Sequence, residues 1–231
     1  DKRSHNVLSK VLARRSLTLL SNENDLLPLT PPDTHKTLVV KLSDSEYPGT
    51  GRTFVRTLAD QPAIDSLGVR RIDPRSDSAD VADHLKAAQD YDVVVVPSFL
   101  RVRAWSGSIG FNDKHQTFLD SLIANGPPAV LTAFGNPYAP STLDPQPDAV
   151  LTTYGSGGAS QEAAAQALTG AAGTPGTLPV TVSDSAQMGT GIALDPVSPR
   201  VGYPESVGMD GRQLADVDSV LRRAMLDRAF P

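Results

Sequence analysis

Apolar and polar positions follow two periods along the chain, and these periods predict strands and helices in regular succession. Mostly apolar runs predict strands at residues 37–42, 91–96, 129–134 and 149–154, and a further short strand is predicted at residues 69–72. Apolar residues at every third or fourth position predict helices at residues 51–60, 78–89, 114–124 and 160–168. Strands that alternate with such helices are typical of right-handed crossovers in a parallel sheet, with helices on both faces.

The predicted fold class is therefore α/β, a three-layer α/β/α sandwich around a doubly wound, mostly parallel sheet. Five main strands are expected in a flavodoxin-like arrangement, and a sixth is possible at residues 178–182. The ligands of such sheets bind at the carboxyl ends of the strands. The loops at residues 43–51, 97–110, 135–143 and 155–160 are thus the first places to search for a site.

The two ends of the chain do not follow this pattern. A helix is predicted at residues 5–15, with Val7, Leu8, Val11 and Leu12 on one stripe, and a short strand follows at residues 17–20. Residues 1–29 are interpreted as a hinge that arrives from an upstream body, and residues 30–182 as the sandwich domain. Residues 183–208 are rich in Gly, Pro and Ser, and they are predicted to form a linker or a strap that covers the domain. Residues 209–231 contain one long helix with no evident partner in this chain.

The amino-acid composition argues against nucleic-acid binding, a membrane span and a metal site. The chain has 231 residues, 39% of them hydrophobic, and a net charge of −5 with mixed signs. This composition supports a full core and argues against a nucleic-acid surface, which needs a basic patch. No apolar run approaches the roughly 20 residues needed to cross a bilayer. There is no cysteine, and the four histidines lack ligand spacing. No metal site and no cofactor are therefore predicted.

Two of the strand-end loops carry the candidate site residues. The loop at residues 97–110 contains Arg101, Arg103 and Trp105, and it is longer than most strand-to-helix connections. The loop "GNPYAP" contains Asn136 and Tyr138, in a context that favours a sharp turn. These five residues are predicted to face a ligand or a neighbouring domain.

The stretch "PGTGRTF", residues 48–54, leaves an alternative open. It is rich in glycine, precedes a helix, and resembles the phosphate loop of flavodoxins. Trp105 and Tyr138 would then flank the flavin of an FMN-binding module. Against this, Arg52 stands where such a loop has Asn, and a glycine motif alone is weak evidence. A further alternative is a non-catalytic interaction domain.

Three stretches together resemble the second domain of glycoside hydrolase family 3 enzymes. They are "ARRSLTLLSNENDLLPL", the loop "GNPYAP", which is similar to that of the β-N-acetylglucosaminidase branch, and "AVLTTYGSGGASQEAAAQALTGAAGTPGTLPVTV". The resemblance covers roughly residues 4–204. It implies an accessory domain that braces an upstream catalytic barrel and shapes the rim of its sugar site. Arg101, Arg103, Trp105, Asn136 and Tyr138 would form that rim or the interface with the barrel.

The resemblance also has a negative implication. Retaining glycosidases need a carboxylate nucleophile and a general acid/base. In this family the nucleophile lies on the barrel, and in the β-N-acetylglucosaminidase branch the acid/base does too. In the β-glucosidase branch a Glu of the second domain acts as the acid/base. None of the glutamates here stands in a family-like context, namely Glu23, Glu46, Glu162 and Glu205. No catalytic residue is therefore predicted, and the chain alone is expected to be inactive.

The last stretch carries a second resemblance. "VGMDGRQLADVDSVLRRAMLDRAFP", residues 207–231, is similar to the entry helix of serine β-lactamase-like domains. It implies a downstream serine-hydrolase-like domain, and a bacterial parent protein associated with the periplasm or cell envelope. The expected partners are thus two further domains of the same polypeptide and, in the full-length protein, a glycan with terminal N-acetylglucosamine or β-glucoside links.

Overall fold

The computed structural model describes residues 2–30, 35–100, 110–197 and 210–227. A six-stranded sheet forms the centre of the unit that ends at Val197. Its strands are β1 (Thr18–Asn22), β2 (His35–Ser43), β3 (Ile64–Ile72), β4 (Val93–Phe99), β5 (Ala129–Phe134) and β6 (Ala149–Thr153). The strand order is β1-β6-β5-β4-β2-β3, and every neighbouring pair is parallel except β1 with β6.

Helices cover both faces of this sheet. They are α1 (Lys2–Arg15), α2 (Arg52–Ala59), α3 (Ser78–Ala88), α4 (Asp113–Asn125) and α5 (Gly158–Leu168). Side chains of α2 and α5 pack on one face with alternate strand residues such as Val39 and Val95. Side chains of α3 and α4 pack on the other face with residues such as Val94 and Val96. The three-layer sandwich with a mostly parallel, doubly wound sheet is thereby confirmed.

Local sequence explains where the helices begin. The Asp77 carboxylate accepts from the Asp80 backbone N–H, and the Asp80 carboxylate accepts from the Asp77 N–H, so that α3 starts with a reciprocal capping box. The Asn112 side chain accepts from the His115 N–H at 2.9 Å and starts α4 in a similar way. In α3 and α4 the last residue of the connection therefore satisfies free amides of the first turn.

The sixth strand is β1, and the prediction of a strand at residues 178–182 is wrong. The backbone of Leu178 bonds instead to a neighbouring turn, donating to the Thr190 carbonyl and accepting from the Gly189 N–H, both at 2.8 Å. Pro179 has no N–H to donate to a sheet ladder. The apolar run "LPVTV" therefore belongs to an irregular segment, and only Leu178 of it is well buried.

Residues 174–197 form a strap along the outer edge of β1. The Gly176 N–H donates to the Leu17 carbonyl and the Ile192 N–H to the Leu19 carbonyl, both at 2.8 Å. A Cβ at Gly176 would lie 2.5 Å from the Leu17 oxygen, so only glycine permits this approach. The strap thus occupies backbone acceptors that an edge strand otherwise offers to other chains.

The second unit, residues 198–231, contains α6 (Gly211–Leu226). Val217, Val220 and Met225 on this helix are 51%, 65% and 70% exposed. The helix predicted near the end of the chain is thus present, with apolar side chains open to solvent. Within the described residues, no helix combines the length and the apolar character needed to cross a bilayer.

Candidate functional site

The carboxyl ends of the parallel strands meet at one edge of the sheet, and the crevice at the point where the winding reverses lies between β2 and β4. From β2 the chain winds outward to β3 on one side and through β4, β5 and β6 on the other. A cavity of about 290 Å³ opens at this edge. Such crevices are where doubly wound sheets bind ligands. The main lining residues are Ser43, Thr50, Gly51, Phe99, Phe134 and Gln161.

The rings of Phe99 and Phe134 line this cavity, and the buried ring of Phe54 packs behind them. The rings of Phe99 and Phe134 stack with centroids 4.5 Å apart and an interplanar angle of 5°. Phe54 of α2 meets Phe134 edge-on, with centroids 5.7 Å apart. Such pairs contribute about 0.5–1.5 kcal/mol beyond the area they bury. The carboxyl ends of β4 and β5 are therefore held firmly together beneath the cavity.

The glycine-rich loop before α2 is a packing element. Gly51 has φ of 74°, and a Cβ there would lie 2.8 Å from a ring carbon of Phe99. The Arg52 N–H donates to the Gly49 carbonyl at 3.1 Å, and the Phe54 N–H donates to Gln161 Oε1 at 3.1 Å. Two amides of the first turn thus already have protein acceptors. A phosphate loop keeps such amides for its ligand, so this geometry argues against the FMN-binding alternative.

Lys41 reinforces the same loop from beneath. Its Nζ donates to the Thr50 carbonyl at 3.0 Å, and the residue is 9% exposed. Burial lowers the pKa of Lys41, and the nearby charges of Arg71 and Arg52 lower it further. This lysine therefore ties β2 to the entrance of α2, in a basic environment.

A charged cluster holds the turn that follows β3. The buried Asp73 carboxylate lies 3.0 Å from Arg71 Nη2 and 3.2 Å from Arg75 Nη2. It also accepts from the Arg75 N–H at 2.9 Å. Burial by itself raises the pKa of Asp73, but these hydrogen bonds and the two guanidinium charges outweigh it and lower the pKa. Lys114 of α4 donates to the carbonyls of Asp73 and Ser76, so the turn is pinned to that helix.

The two strand-end carboxylates after β2 lie beside basic groups. His115, 1% exposed, has a pKa that burial lowers, while the Asp44 charge and a hydrogen bond with the Ile72 backbone act to raise it. The exposed Glu46 carboxylate lies 3.9 Å from Arg75 Nε. Glu46 thus has an arginine as its neighbour, whereas Asp44 faces a histidine whose lowered pKa leaves it mostly neutral at pH 7. This arrangement differs from the paired carboxylates that a retaining glycosidase places on either side of the scissile bond.

The loop "GNPYAP" is a well-bonded turn. The buried Asn136 side chain accepts from the Tyr138 N–H at 2.9 Å, and the Tyr138 carbonyl accepts from Ser141 Oγ at 2.7 Å. A short 3₁₀ helix, Ala139–Thr142, follows and packs by Ala139 against the core. Neither Asn136 nor Tyr138 is among the residues that line the cavity. The local turn therefore involves the side chain of Asn136 and the backbone of Tyr138.

The remaining predicted site residues, Arg101, Arg103 and Trp105, lie outside the described residues. Most residues that line the cavity lie in the loops that the sequence marked for the search, at residues 43–51, 97–110 and 155–160, but Phe99, Phe134 and Gln161 were not named as site residues. A signal for two of them was present, since "VVVVPSF" and "AVLTAF" both end in phenylalanine at the functional edge. Across residues 2–30, 35–100, 110–197 and 210–227, no three histidine, aspartate or glutamate side chains are grouped so as to hold a metal ion.

Comparison with known proteins agrees with this architecture. The family model described as glycosyl hydrolase family 3 C-terminal domain matches residues 17–211. A fungal multi-domain β-N-acetylglucosaminidase of family 3, reported with a GCN5-related glucosamine N-acetyltransferase region, is 21% identical with a TM-score of 0.63. The family 3 β-N-acetylglucosaminidase from Paenibacillus sp. str. FPU-7 is 22% identical with a TM-score of 0.60. The β-glucoside phosphorylase BglX is 20% identical with a TM-score of 0.58.

These structures are much longer than the present chain. The matches cover 85%, 75% and 80% of this chain, but only 21%, 32% and 33% of the fungal, Paenibacillus and BglX chains respectively. At such identities the likeness shows the fold alone. No curated protein sequence matches the chain.

Proposed function

The chain belongs to the glycosyl hydrolase family 3 C-terminal domain family, and from this premise we propose that it is the accessory domain of a glycosidase. Its role would be to brace an N-terminal catalytic barrel and to shape the rim of the sugar site. The observation on which the proposal depends is the pairing of acidic with basic side chains at the carboxyl edge of the sheet. There Asp73 and Glu46 each have an arginine as a neighbour, which suits a structural rim better than a reaction centre.

We propose, more narrowly, that the parent enzyme is of the β-N-acetylhexosaminidase type. The support is the Asn-Pro-Tyr turn, which resembles that of the β-N-acetylglucosaminidase branch and is held here by a hydrogen bond from the Tyr138 N–H to the buried Asn136 side chain. The substrate would carry terminal N-acetylglucosamine, with β-glucosides as the competing class. The residues proposed to lie at the rim or at the interface with the barrel are Arg101, Arg103, Trp105, Asn136 and Tyr138.

We also propose that residues 209–231 begin a serine β-lactamase-like domain. The apolar side chains of Val217, Val220 and Met225 are exposed, as expected for a helix whose covering partner lies elsewhere. The downstream domain would then supply that cover.

The test is an activity assay on two forms of the protein. The 231-residue chain should hydrolyse chromogenic N-acetylglucosaminide and β-glucoside only at the buffer rate. A longer polypeptide in which a family 3 catalytic domain precedes this chain should hydrolyse the N-acetylglucosaminide faster. Turnover by the shorter chain that disappears in Asp44→Asn or Glu46→Gln would instead make this domain an enzyme in its own right. Preference of the longer polypeptide for the β-glucoside would overturn the narrower assignment.

A further inference from the structure

Helix α1 presents its apolar stripe to solvent. Val7, Leu8, Val11 and Leu12 are 61%, 56%, 41% and 58% exposed. They lie at positions i, i+1, i+4 and i+5 and therefore share one side of the helix. Single exposed apolar residues are ordinary on protein surfaces, but a contiguous patch marks a place where something binds.

The side of α1 that faces the sandwich is polar. Lys10 Nζ lies 2.9 Å from a Glu162 carboxylate oxygen, and Arg14 Nη2 donates to Gln166 Oε1 at 3.0 Å. From Ser4 to Arg15 only Ala13 is buried. An amphipathic helix on a globular domain normally buries its apolar side and leaves its charges in water. Here the orientation is reversed, which indicates that the apolar side has another partner.

The contacts also show where α1 stands. Both members of each pair advance by four residues, from Lys10–Glu162 to Arg14–Gln166, so α1 and α5 run in the same direction. Helix α1 begins eight residues before Lys10, whereas α5 begins four residues before Glu162. At 1.5 Å per residue, α1 thus extends about 6 Å beyond the start of α5. Since α5 follows β6, this start lies at the carboxyl edge of the sheet.

A groove connects the stripe to that edge. It has a volume of about 430 Å³. On one side it is lined by Leu8 and Leu12 of α1, and on the other by Tyr154, Gly155 and Ser160 from the carboxyl end of β6 and the beginning of α5. Helix and edge therefore form one continuous, concave surface.

We infer that this surface, made of Val7, Leu8, Val11, Leu12 and the groove beside Tyr154, is the docking site of the catalytic domain that precedes this domain in the polypeptide. The inference rests on the proposed function. The family match begins at Leu17, after the last residue of α1, so the helix lies outside the domain that the family defines. Helix α1 precedes the domain, extends beyond its carboxyl edge and exposes its apolar side. It is therefore well positioned to pack against the preceding domain.

The charge of α1 favours this occupant over two others. The helix contains Lys and Arg but no Asp or Glu, so its partner should surround an apolar patch with acidic groups. A second copy docking by the same surface would bring two basic helices together, which like charges oppose. A membrane-bound helix directs its basic residues to lipid head groups, whereas Lys10 and Arg14 here contact the sandwich.

Hydrogen–deuterium exchange tests the inference on the 231-residue chain and on the longer polypeptide with its preceding domain. The amides of residues 7–13 should exchange about tenfold more slowly in the longer polypeptide, because docking suppresses local opening. The double variant Leu8→Gln, Leu12→Gln keeps helix propensity and should abolish most of that protection. Met188→Gln, at a strap residue that is 70% exposed, is the matched control and should leave the protection unchanged.

The outcomes separate this inference from the proposed function. Normal hydrolysis by the longer polypeptide without added protection of α1 would overturn the docking site and leave the function standing. Added protection without hydrolysis would support the docking site and overturn the function. Concentration-dependent dimerisation of the 231-residue chain that Leu8→Gln, Leu12→Gln abolishes would overturn the inference in favour of a second copy. Binding to vesicles of anionic phospholipid that the same variant abolishes would overturn it in favour of a membrane.

Discussion

Replacing Asp73 with Asn should destabilise the sandwich by an amount that depends on pH. The side chain is 2% exposed and bridges two arginines, of which Arg71 is 26% and Arg75 55% exposed. A hydrogen bond to a charged group contributes about 1.5–3 kcal/mol, and we take about 1.5 for the half-buried Arg71. The exposed Arg75 is screened by water and adds about 0.5 kcal/mol. The free energy of unfolding should therefore fall by about 2 kcal/mol at pH 7.

The pH dependence identifies the charge as the cause. The folded-state pKa of Asp73 lies below its ordinary value, because the hydrogen bonds and charges of Arg75 and Arg71 outweigh the opposing effect of burial. The ionised form therefore stabilises the fold above the unfolded pKa of about 3.9, and this stability is lost as pH falls through the folded pKa. Asn cannot ionise, so wild type and Asp73→Asn should begin to converge as pH falls below about 4 and should meet only below the folded pKa of Asp73.

The measurement is urea unfolding followed by far-ultraviolet circular dichroism at pH 7, 5, 4 and 3. Asp83→Asn is the matched control, since that side chain is 72% exposed and its nearest recorded partner, His84, is 4.0 Å away. The control should shift the unfolding free energy by less than about 0.5 kcal/mol. If Asp73→Asn is equally destabilised at pH 7 and pH 3, the ionised carboxylate is not what holds the turn, and the reasoning is wrong.

Three further predictions concern the core and the end of the chain. Val95→Asp should abolish the cooperative melting transition, because it places an unpaired charge at a fully buried position of β4, which lies between β2 and β5. The control is Ser66→Asp at an exposed position of β3, which should melt normally. Burial lowers the pKa of His115, so the free energy of unfolding should decline as pH falls below about 6.5. His115→Gln should flatten that decline between pH 7 and 5. An unchanged slope in the variant would contradict this prediction. Deleting residues 209–231 should shift the melting temperature of the sandwich by less than about 2 °C, because the apolar side chains of α6 that the structure describes are mostly exposed. A large drop in the melting temperature would instead mean that the helix belongs to the core.

The sequence by itself determined the positions of most secondary elements, because each depends on a local period. The runs around Val94 and Leu131 are buried on both faces of the sheet and therefore lack polar alternation, so they were readable as central strands. The edge strand β3 was recognised only at its end, because Asp65 and Ser66 face solvent and interrupt the apolar run. Asn136 was likewise readable as part of a turn, since its side chain bonds to a backbone amide only two residues away.

Only the tertiary structure decided which distant segments meet. A period of two predicts a strand but not its neighbour, so β1 joined the sheet antiparallel to β6 while the apolar run near Leu178 stayed outside it. Gln161 lines the cavity at the carboxyl edge and accepts from the Phe54 N–H, a contact between residues far apart in sequence. The stripe on α1 predicted an amphipathic helix, but burial depends on what packs against each side. Only the contacts of Lys10 with Glu162 and of Arg14 with Gln166 showed that its polar side faces inward, leaving the apolar side for a partner.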